Sequence, residues 1–296
     1  MVNAAGAIAP WLVRDRAFVW GERTYVMAVL NVTPDSFSDG GLFNSLEAAV
    51  RQAQHVVNAG ADILDIGGQS TRPQADIISL QEELDRVIPV IAAVRSHPDR
   101  AVRSIPISID TTRVAVATAA VKAGADIVND ISGGVAEPDM LPTVAALAVP
   151  FMAMHSRGTP KTMQQLTHYS DLVGEIYQFL ETQVNQAIAL GMERSQVCID
   201  PGIGFAKTFD QSLDLLRHLA AFQPLGCPIL IGASRKSFIG HILNQPDPQQ
   251  RVWGTAAACC AAIAGGADIV RVHDVPEMRQ VCQVADAIWR SRPASV

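Results

Sequence analysis

Eight short runs rich in valine and isoleucine recur along the chain, and each is followed by a segment with helical periodicity. The runs are nearly continuous apolar stretches, which is typical of parallel strands buried on both faces. The predicted strands are Tyr25–Val32, Asp62–Ile66, Pro106–Asp110, Asp126–Ile131, Pro150–His155, Val197–Asp200, Pro228–Gly232 and Asp268–His273. The predicted helices cover residues 45–59, 79–95, 112–123, 139–148, 170–190, 210–221, 251–264 and 276–290.

Eight strands alternating with eight helices predict an α/β fold, a single (β/α)8 TIM barrel covering residues 24–292. Residues 1–23 form an N-terminal extension, and the stretch Arg16–Tyr25 is predicted to be a hairpin that plugs the barrel bottom. The competing fold is a doubly wound open sheet. That fold normally carries a glycine-rich dinucleotide fingerprint after its first strand, and the sequence has none there.

Composition limits the classes of partner. With a net charge of −6, the 296-residue chain has no overall field to attract nucleic acid or an anionic membrane. No apolar run reaches the roughly 18 residues of a membrane span, and the first residues do not resemble a secretory signal. The five cysteines are scattered without CxxC spacing, which favours reduced thiols over a zinc site. A cytoplasmic enzyme is therefore expected.

One short pattern occurs three times where a helix passes into a strand. Gly-Ala-Asp occupies Gly60–Asp62, Gly124–Asp126 and Gly266–Asp268, and its glycine suits a left-handed helix end. The turn itself is interpreted as structural. The fifth residue after each glycine is polar: these residues are Asp65, Asn129 and Arg271. Because strand ends in a parallel barrel face the active-site mouth, we expect these three side chains to converge.

Other polar residues lie at the predicted strand ends. Asp110, Asn129 and Asp200 would be costly to bury together unless they met donors, and a flat nitrogen-rich heterocycle supplies donors along one edge. A cationic set at the same mouth, made of Arg72, Lys236, Arg271 and His273, indicates a phosphorylated substrate. Asn31, followed by a loop with two aspartates, offers the hard oxygen ligands that suit Mg2+ bound with phosphates. Taken singly, most of these residues could equally serve turns or helix caps.

Taken together, the segments resemble those of the dihydropteroate synthase family, the pterin-binding enzymes of folate biosynthesis. The resemblance is carried by LNVTPDSFSDGG, GGQSTRP, SIDT, NDISGG, MHSRGTPKTMQ, DPGIGFAK, GASRKSFIG and RVHDV, which fall in order on all eight strand ends between about residues 25 and 290. It implies condensation of 6-hydroxymethyl-7,8-dihydropterin pyrophosphate with 4-aminobenzoate, with release of pyrophosphate. It also implies a Mg2+ cofactor and a homodimer.

The resemblance assigns roles by position in this sequence. It implies that Asp110, Asn129 and Asp200 bind the pterin edge, with Met154 beneath the ring and Lys236 hydrogen-bonded to it. Asn31 matches the metal ligand. Thr71, Arg72, Arg271 and His273 match groups around the pyrophosphate, and Phe37, Pro73, Phe205 and Ser237 match positions around the aminobenzoate. Asp110, Lys236 and Arg271 are the implied catalytic residues. Gln69 and Gln74 depart from the family, which commonly has glutamate and glycine there.

Three other functions stay open at this point. A pterin-dependent methyltransferase barrel shares the strand-end acids but has no use for the two long loops. A Schiff-base aldolase would use Lys236 or Lys207, and a non-catalytic pterin-binding paralogue would keep the pocket without turnover. In the implied reaction no protein nucleophile is needed, since the pterin nitrogens stabilise a cation as pyrophosphate departs and the arylamine attacks.

Overall fold

The fold is taken from a computed structural model of the chain, which describes residues 8–33, 42–71 and 75–290. Ten strands are seen in these ranges: β1 (Trp11–Val13), β2 (Arg16–Phe18), β3 (Tyr25–Asn31), β4 (Ile63–Gly67), β5 (Ile107–Asp110), β6 (Ile127–Asp130), β7 (Phe151–Met154), β8 (Val197–Asp200), β9 (Leu230–Ile231) and β10 (Ile269–Val272). The helices are α1 (Leu42–Asn58), α2 (Leu80–Arg95), α3 (Arg100–Arg103), α4 (Val114–Ala123), α5 (Met140–Leu147), α6 (Leu172–Ala189), α7 (Phe209–Arg217), α8 (Ser237–Ile242), α9 (Val252–Ala264) and α10 (Val275–Trp289).

Strands β3 to β10 form one parallel barrel. Their order is β8-β7-β6-β5-β4-β3-β10-β9, so the strands from β3 to β8 each pair with the next in sequence, β9 pairs with β10, and β10 returns to β3. Between β8 and β9 the barrel is joined by a single parallel bridge, Ile199 with Ile229. The strands are apolar on both faces because one face packs against the helices and the other fills the barrel. This architecture confirms the predicted TIM barrel.

The antiparallel hairpin of β1 and β2 covers the end of the barrel where the strands begin. Trp11 and Phe18 are buried there against the first residues of the strands, together with Tyr25 and Met27. Aromatic rings make up much of the contact, with the Trp11 and Trp20 centroids 5.0 Å apart and edge-on. The predicted hairpin is therefore present, although it starts at Trp11, upstream of the predicted Arg16.

The three Gly-Ala-Asp turns lie at this same end and share one arrangement. In each, the aspartate carboxylate accepts the backbone N–H of a residue in the neighbouring strand segment: Asp62 from Val26, Asp126 from Ile107 and Asp268 from Ile229. Each carboxylate also faces at least one arginine, and the glycines take φ between 96° and 117°. The motif thus fixes strand starts, far from the barrel mouth.

The prediction was least accurate in the seventh unit of the barrel. The strand predicted as Pro228–Gly232 shortens to Leu230–Ile231, since Pro228 has no N–H to donate and Arg235 soon turns the chain with φ 58°. An additional short helix, α8, precedes α9, and a further one, α3, fills the segment before β5. Across the described ranges, no helix combines the length and apolar character that crossing a bilayer requires.

Candidate active site

A cavity opens at the mouth, the end of the barrel where strands β3 to β10 finish. It is lined by Asn129, Ile131, Met154, Asp200, Ile203, Phe205, Gly232, Lys236 and Arg271. These residues come from the ends of β6, β7, β8 and β10 and from the loops after β8 and β9. Six of them were predicted as site residues from the sequence, so the structure brings together most of the predicted pterin pocket.

Arg271 lies in the middle of an acidic group on the cavity floor. Its Nε donates to Asp65 Oδ2 and its Nη2 donates to Asp110 Oδ2, both at 2.6 Å. Asn129 Nδ2 approaches the same Asp65 carboxylate, at 3.3 Å from Oδ2. Gly67 lies opposite Asp110 in the ladder, and a Cβ there would only reach van der Waals contact, 3.4 Å from Asp110 Cβ. The three polar residues of the repeat therefore converge as expected.

This arrangement joins residues that were predicted to bind different parts of the substrate. Arg271 was predicted to lie around the pyrophosphate, but its guanidinium binds two floor carboxylates and is only 20% exposed. Its Nη1 makes no hydrogen bond to any residue in the described ranges, so the two N–H groups of this nitrogen remain for a ligand. Although burial alone would lower its pKa, Asp65 and Asp110 outweigh that and raise the pKa of Arg271 further.

Burial makes the floor carboxyls weaker acids than usual. Loss of water raises the pKa of Asp110 to about 7, with Arg271 opposing and the charges of Asp65 and Asp130 adding to the rise. Burial likewise raises the pKa of Asp200 to about 6, against the effect of the Gly202 N–H, which donates to its Oδ1 at 2.7 Å. Both groups are therefore poised to change charge when a ligand replaces water.

Lys236 enters the cavity from the loop after β9. Its Nζ lies 3.9 Å from the centroid of the Phe205 ring. Burial lowers the pKa of Lys236 to about 8, and the Arg271 charge lowers it further, while Asp200 and Asp110 raise it. Helix α8 begins at the next residue but has only six residues, and the Lys236 ammonium faces an aromatic ring and two acids.

The remaining predicted residues lie around the rim or outside the described ranges. Beyond the end of β10, His273 Nδ1 is 3.0 Å from Ser234 Oγ. Ser237 is exposed at the start of α8, and Thr71 is half-buried. Gln69 links the loop after β4 to later residues, as its Nε2 donates to the Asp76 carbonyl and its Oε1 accepts the Ile78 N–H. Phe37, Arg72, Pro73 and Gln74 lie outside the described residues.

Asn31, the predicted metal ligand, lies half-buried at the end of β3, beside Gly67 of β4. In the described ranges, no group of three histidine, cysteine or acidic side chains could hold a metal by itself. One neutral amide oxygen fits a hard cation that takes most of its ligands from water and substrate oxygens, as Mg2+ commonly does. The residues present are therefore compatible with a metal that arrives with a phosphorylated substrate.

Two residues of the site region had been assigned no role in the synthase reaction. Asp65 is fully buried beneath Arg271 and Asn129, and only the threefold repeat signalled it. Lys207 is 2% exposed in the loop after β8 and bonds His155 and the Phe205 carbonyl. A lysine in a glycine-rich loop would ordinarily be solvated, so no sequence signal indicated its burial.

Comparison with known proteins agrees with this geometry. The family model described as pterin binding enzyme matches residues 27–273. A dihydropteroate synthase from Synechocystis is 59% identical over 281 residues, 95% of this chain and 96% of that protein. The Clostridium difficile dihydropteroate synthase structure with pteroic acid has a TM-score of 0.85 and 42% identity, covering 92% of this chain and 99% of that one. The Xanthomonas albilineans enzyme with 4-aminobenzoic acid has a TM-score of 0.84 and 40% identity, covering 93% and 95%.

Proposed function

The chain belongs to the pterin-binding enzymes as a dihydropteroate synthase, and from this premise we propose how its own residues share the reaction. The reaction joins 6-hydroxymethyl-7,8-dihydropterin pyrophosphate to 4-aminobenzoate and releases pyrophosphate. The observation that carries the proposal is the convergence of Asp110, Asn129, Asp200, Lys236 and Arg271 at one mouth.

The pterin edge is held by acceptors on the floor. Asp110 and Asp200 each use one oxygen within the protein, for Arg271 and for the Gly202 N–H, and within the described ranges the second oxygen has no hydrogen-bond donor. Because Asn129 directs its amide nitrogen at Asp65, its amide oxygen also remains to accept. Three acceptors along one wall match the N–H donors of a pterin ring, and Met154 packs beneath it.

Catalysis consists of positioning and charge stabilisation. When pyrophosphate leaves, positive charge develops on the pterin, and the Asp110 carboxylate stabilises it at close range. The Arg271 guanidinium keeps the N–H groups of Nη1 available for the leaving group, while Nε and Nη2 donate to the floor acids. Lys236 donates to the ring, and Thr71, Arg72 and His273 complete the pyrophosphate site. The arylamine is placed by Phe37, Pro73, Phe205 and Ser237 so that it attacks the exposed carbon directly.

A Mg2+ ion bound with the substrate is the proposed cofactor, held by the Asn31 amide oxygen. When bound, it neutralises negative charge on the pyrophosphate. Arg271 Nη1 and His273 act on the same leaving group from the end of β10, the strand that neighbours β3. Removing the metal with a chelator should therefore lower turnover much more than it lowers affinity for free pterin, which carries no phosphate.

We also propose a cytoplasmic homodimer. Helices α9 and α10 pack side by side, and their outer faces expose Trp253, Val284, Ile288 and Trp289. Trp253 is 77% exposed, which is unusual for a large apolar side chain. A second copy of this chain would cover such a patch, as isologous interfaces pair one surface with itself.

The test is an assay of purified protein with Mg2+ and both substrates. We expect one pyrophosphate released for each dihydropteroate formed. The Asp110→Asn variant should lose roughly a hundredfold or more in kcat, as expected when a charge aimed at the transition state is removed. Unchanged turnover in this variant would contradict the proposed role of Asp110.

Three measurements on the same purified protein separate the competing functions. Tight pterin binding without product would identify a binding paralogue. Borohydride trapping of a substrate on Lys236 or Lys207 would instead identify Schiff-base chemistry. Methyl transfer to a corrinoid in place of dihydropteroate formation would identify a methyltransferase.

A further inference from the structure

The loop after β8, residues 201–208, which we call the β8 loop, is held by side chains at three consecutive carbonyls. Gln164 Nε2 donates to the Gly204 carbonyl at 3.3 Å, Lys207 Nζ to the Phe205 carbonyl at 2.8 Å, and Tyr169 Oη to the Ala206 carbonyl at 3.0 Å. Irregular loops normally leave such carbonyls to water. Because side chains bind all three carbonyls, we infer that the function of the site depends on a fixed position of this loop.

The backbone of the β8 loop is strained as well as held. Gly202, Gly204 and Ala206 have φ of 74°, 79° and 50°, and for alanine this left-handed conformation is unfavourable. The loop also presses on the end of β7, since a Cβ on Gly202 would lie 2.0 Å from the His155 carbonyl oxygen. Such a conformation persists only where surrounding contacts fix it.

Lys207 is the least expected of these contacts. Its side chain is buried, and within the described ranges no carboxylate lies at ion-pair distance from its Nζ. Besides the Phe205 carbonyl, the Nζ contacts His155 Nδ1 at 3.0 Å. Burial lowers the pKa of Lys207 to about 7 and, helped by the Lys207 and Arg157 charges, that of His155 to about 2. The imidazole is therefore neutral, and a protonated Nζ can only donate to it.

The contacts of the β8 loop with the active site explain why a lysine is buried here despite the cost of removing it from water. The Phe205 ring lies over Lys236 Nζ, and a Cβ on Gly204 would lie 3.3 Å from Lys236 Cδ. The β8 loop is thus one wall of the channel that Lys236 occupies. We propose that Lys207 is a positioning residue for the synthase reaction: by tying the Phe205 carbonyl to His155 it fixes the Phe205 ring over the Lys236 ammonium and beside the aminobenzoate. This inference rests on the site roles proposed above.

The test compares Lys207→Met, which keeps the chain length and removes the donor, with Lys122→Met, which removes an exposed lysine from α4. A hydrogen bond from a charged group is worth roughly a ten- to hundredfold effect, so we expect the KM for 4-aminobenzoate to rise by about tenfold or more in Lys207→Met. We expect kcat to fall less, and Lys122→Met to match the wild type. Backbone amides of residues 202–208 should also exchange hydrogen faster in Lys207→Met.

A double-mutant cycle separates positioning from general support of the fold. If Lys207 acts through Phe205, then Lys207→Met should add little to a Phe205→Leu variant. Independent effects in the two backgrounds, or equal changes in kcat and KM, would overturn the proposal. Proteins in which buried charged residues are replaced by apolar residues of similar volume usually fold well. Should Lys207→Met still fail to fold, Tyr169→Phe removes the neighbouring bond and must raise the same KM by a smaller factor; an unchanged KM there also overturns it.

A failure of the proposed role of Lys207 can be distinguished from a failure of the proposed function. Wild-type protein that makes no dihydropteroate would contradict the function itself. An active wild type whose Lys207→Met variant keeps its KM for aminobenzoate would contradict only the role of Lys207.

Discussion

Asp65 illustrates at the residue scale what a sequence pattern can and cannot predict. Strand register predicts that Asp65, Asn129 and Arg271 end their strands at one mouth, because parallel strands finish together. It does not predict which group pairs with which. An arginine side chain has several rotatable bonds, so only packing decides that Arg271 reaches inward to Asp65 and Asp110.

The Asp65→Asn variant tests whether this buried carboxylate orients the floor. Arg271 would lose one of its two anionic partners and Asn129 the charge it faces. We expect a loss of about 1–3 kcal/mol in the free energy of unfolding and roughly tenfold weaker pterin binding. Calorimetry and denaturant titration measure the two effects. Asp76→Asn, which alters an exposed carboxylate paired with Lys161, is the control and should change neither. Pterin affinity unaffected by Asp65→Asn would remove Asp65 from the site.

The weakened acids of the floor predict a pH dependence of binding. The pKa of Asp110 is about 7 and that of Asp200 about 6, while Arg271 and Lys236 keep their charge across this range. If both carboxyls accept pterin N–H groups as anions, affinity should fall as the pH drops below these values, by up to tenfold per unit for each proton. Fluorescence titration of free pterin measures it, and Asp110→Asn should abolish the upper transition. Constant affinity through this range would contradict the assignment.

The stability of the ligand-free protein should depend on pH in the opposite direction to pterin affinity, so that it falls as the pH rises. Both carboxyls hold protons more tightly when folded than at the ordinary value of 3.8, so the folded state binds more protons between that value and about 7. Their contribution to stability is complete below the ordinary value and is lost as the pH rises through the folded values.

At the scale of elements, sequence periodicity predicted strand and helix positions well where one long apolar face was buried. It was less accurate between Pro228 and Ile242, where a two-residue strand is followed by the short helix α8. The helix predicted over residues 251–264 is present as α9. The six residues of α8 are too few for a periodic pattern to stand out. The left-handed turn at Arg235 is made possible by contacts distant in sequence, notably its ion pair with Asp274.

The position of the hairpin predicts that it contributes to the stability of the protein but not to its activity. Trp11 is buried at the end of the barrel opposite to the mouth, whereas Leu12, its neighbour in β1, is 79% exposed. Trp11→Ala should lower the free energy of unfolding by about 3–5 kcal/mol through loss of buried aromatic contacts. Turnover at temperatures where the variant is folded should stay at the wild-type value. Leu12→Ala should leave both unchanged, and equal destabilisation by the two substitutions would mean that the hairpin is not a packed plug.

For the whole molecule, two sequence features together predicted the topology: the regular alternation of eight strands with eight helices, and the lack of a dinucleotide fingerprint after the first strand. The sequence could not predict the surface that a second copy covers. Apolar residues on α9 and α10 satisfy helical periodicity whether they face the barrel or another chain. The structure separates the two sets by exposing Trp253, Val284 and Ile288.

Placing a charge in that patch tests the homodimer. Trp253→Glu should shift sedimentation from dimer to monomer, because burying an unpaired carboxylate is costly at an apolar interface. Ile77→Glu is the control, being a similarly exposed apolar residue away from these helices. Each folded chain should retain its pterin affinity. A monomeric wild type, or a Trp253→Glu variant that still dimerises, would contradict the proposed interface.

Between β8 and β9 the barrel wall is joined, among the described residues, only by the bridge between Ile199 and Ile229, and we call this position the seam. Other neighbouring strands share ladders of two or more residue pairs in the described ranges, whereas one pair joins β8 to the segment that leads into β9. We therefore expect local opening of the wall to be easiest here, because the fewest inter-strand pairs must break. Asp200 ends the strand on one side of the seam, and Lys236 follows the strand on the other. Opening at this place would change the distance between Asp200 and Lys236, and so the width of the pocket, while the ladders between the other strands stay intact.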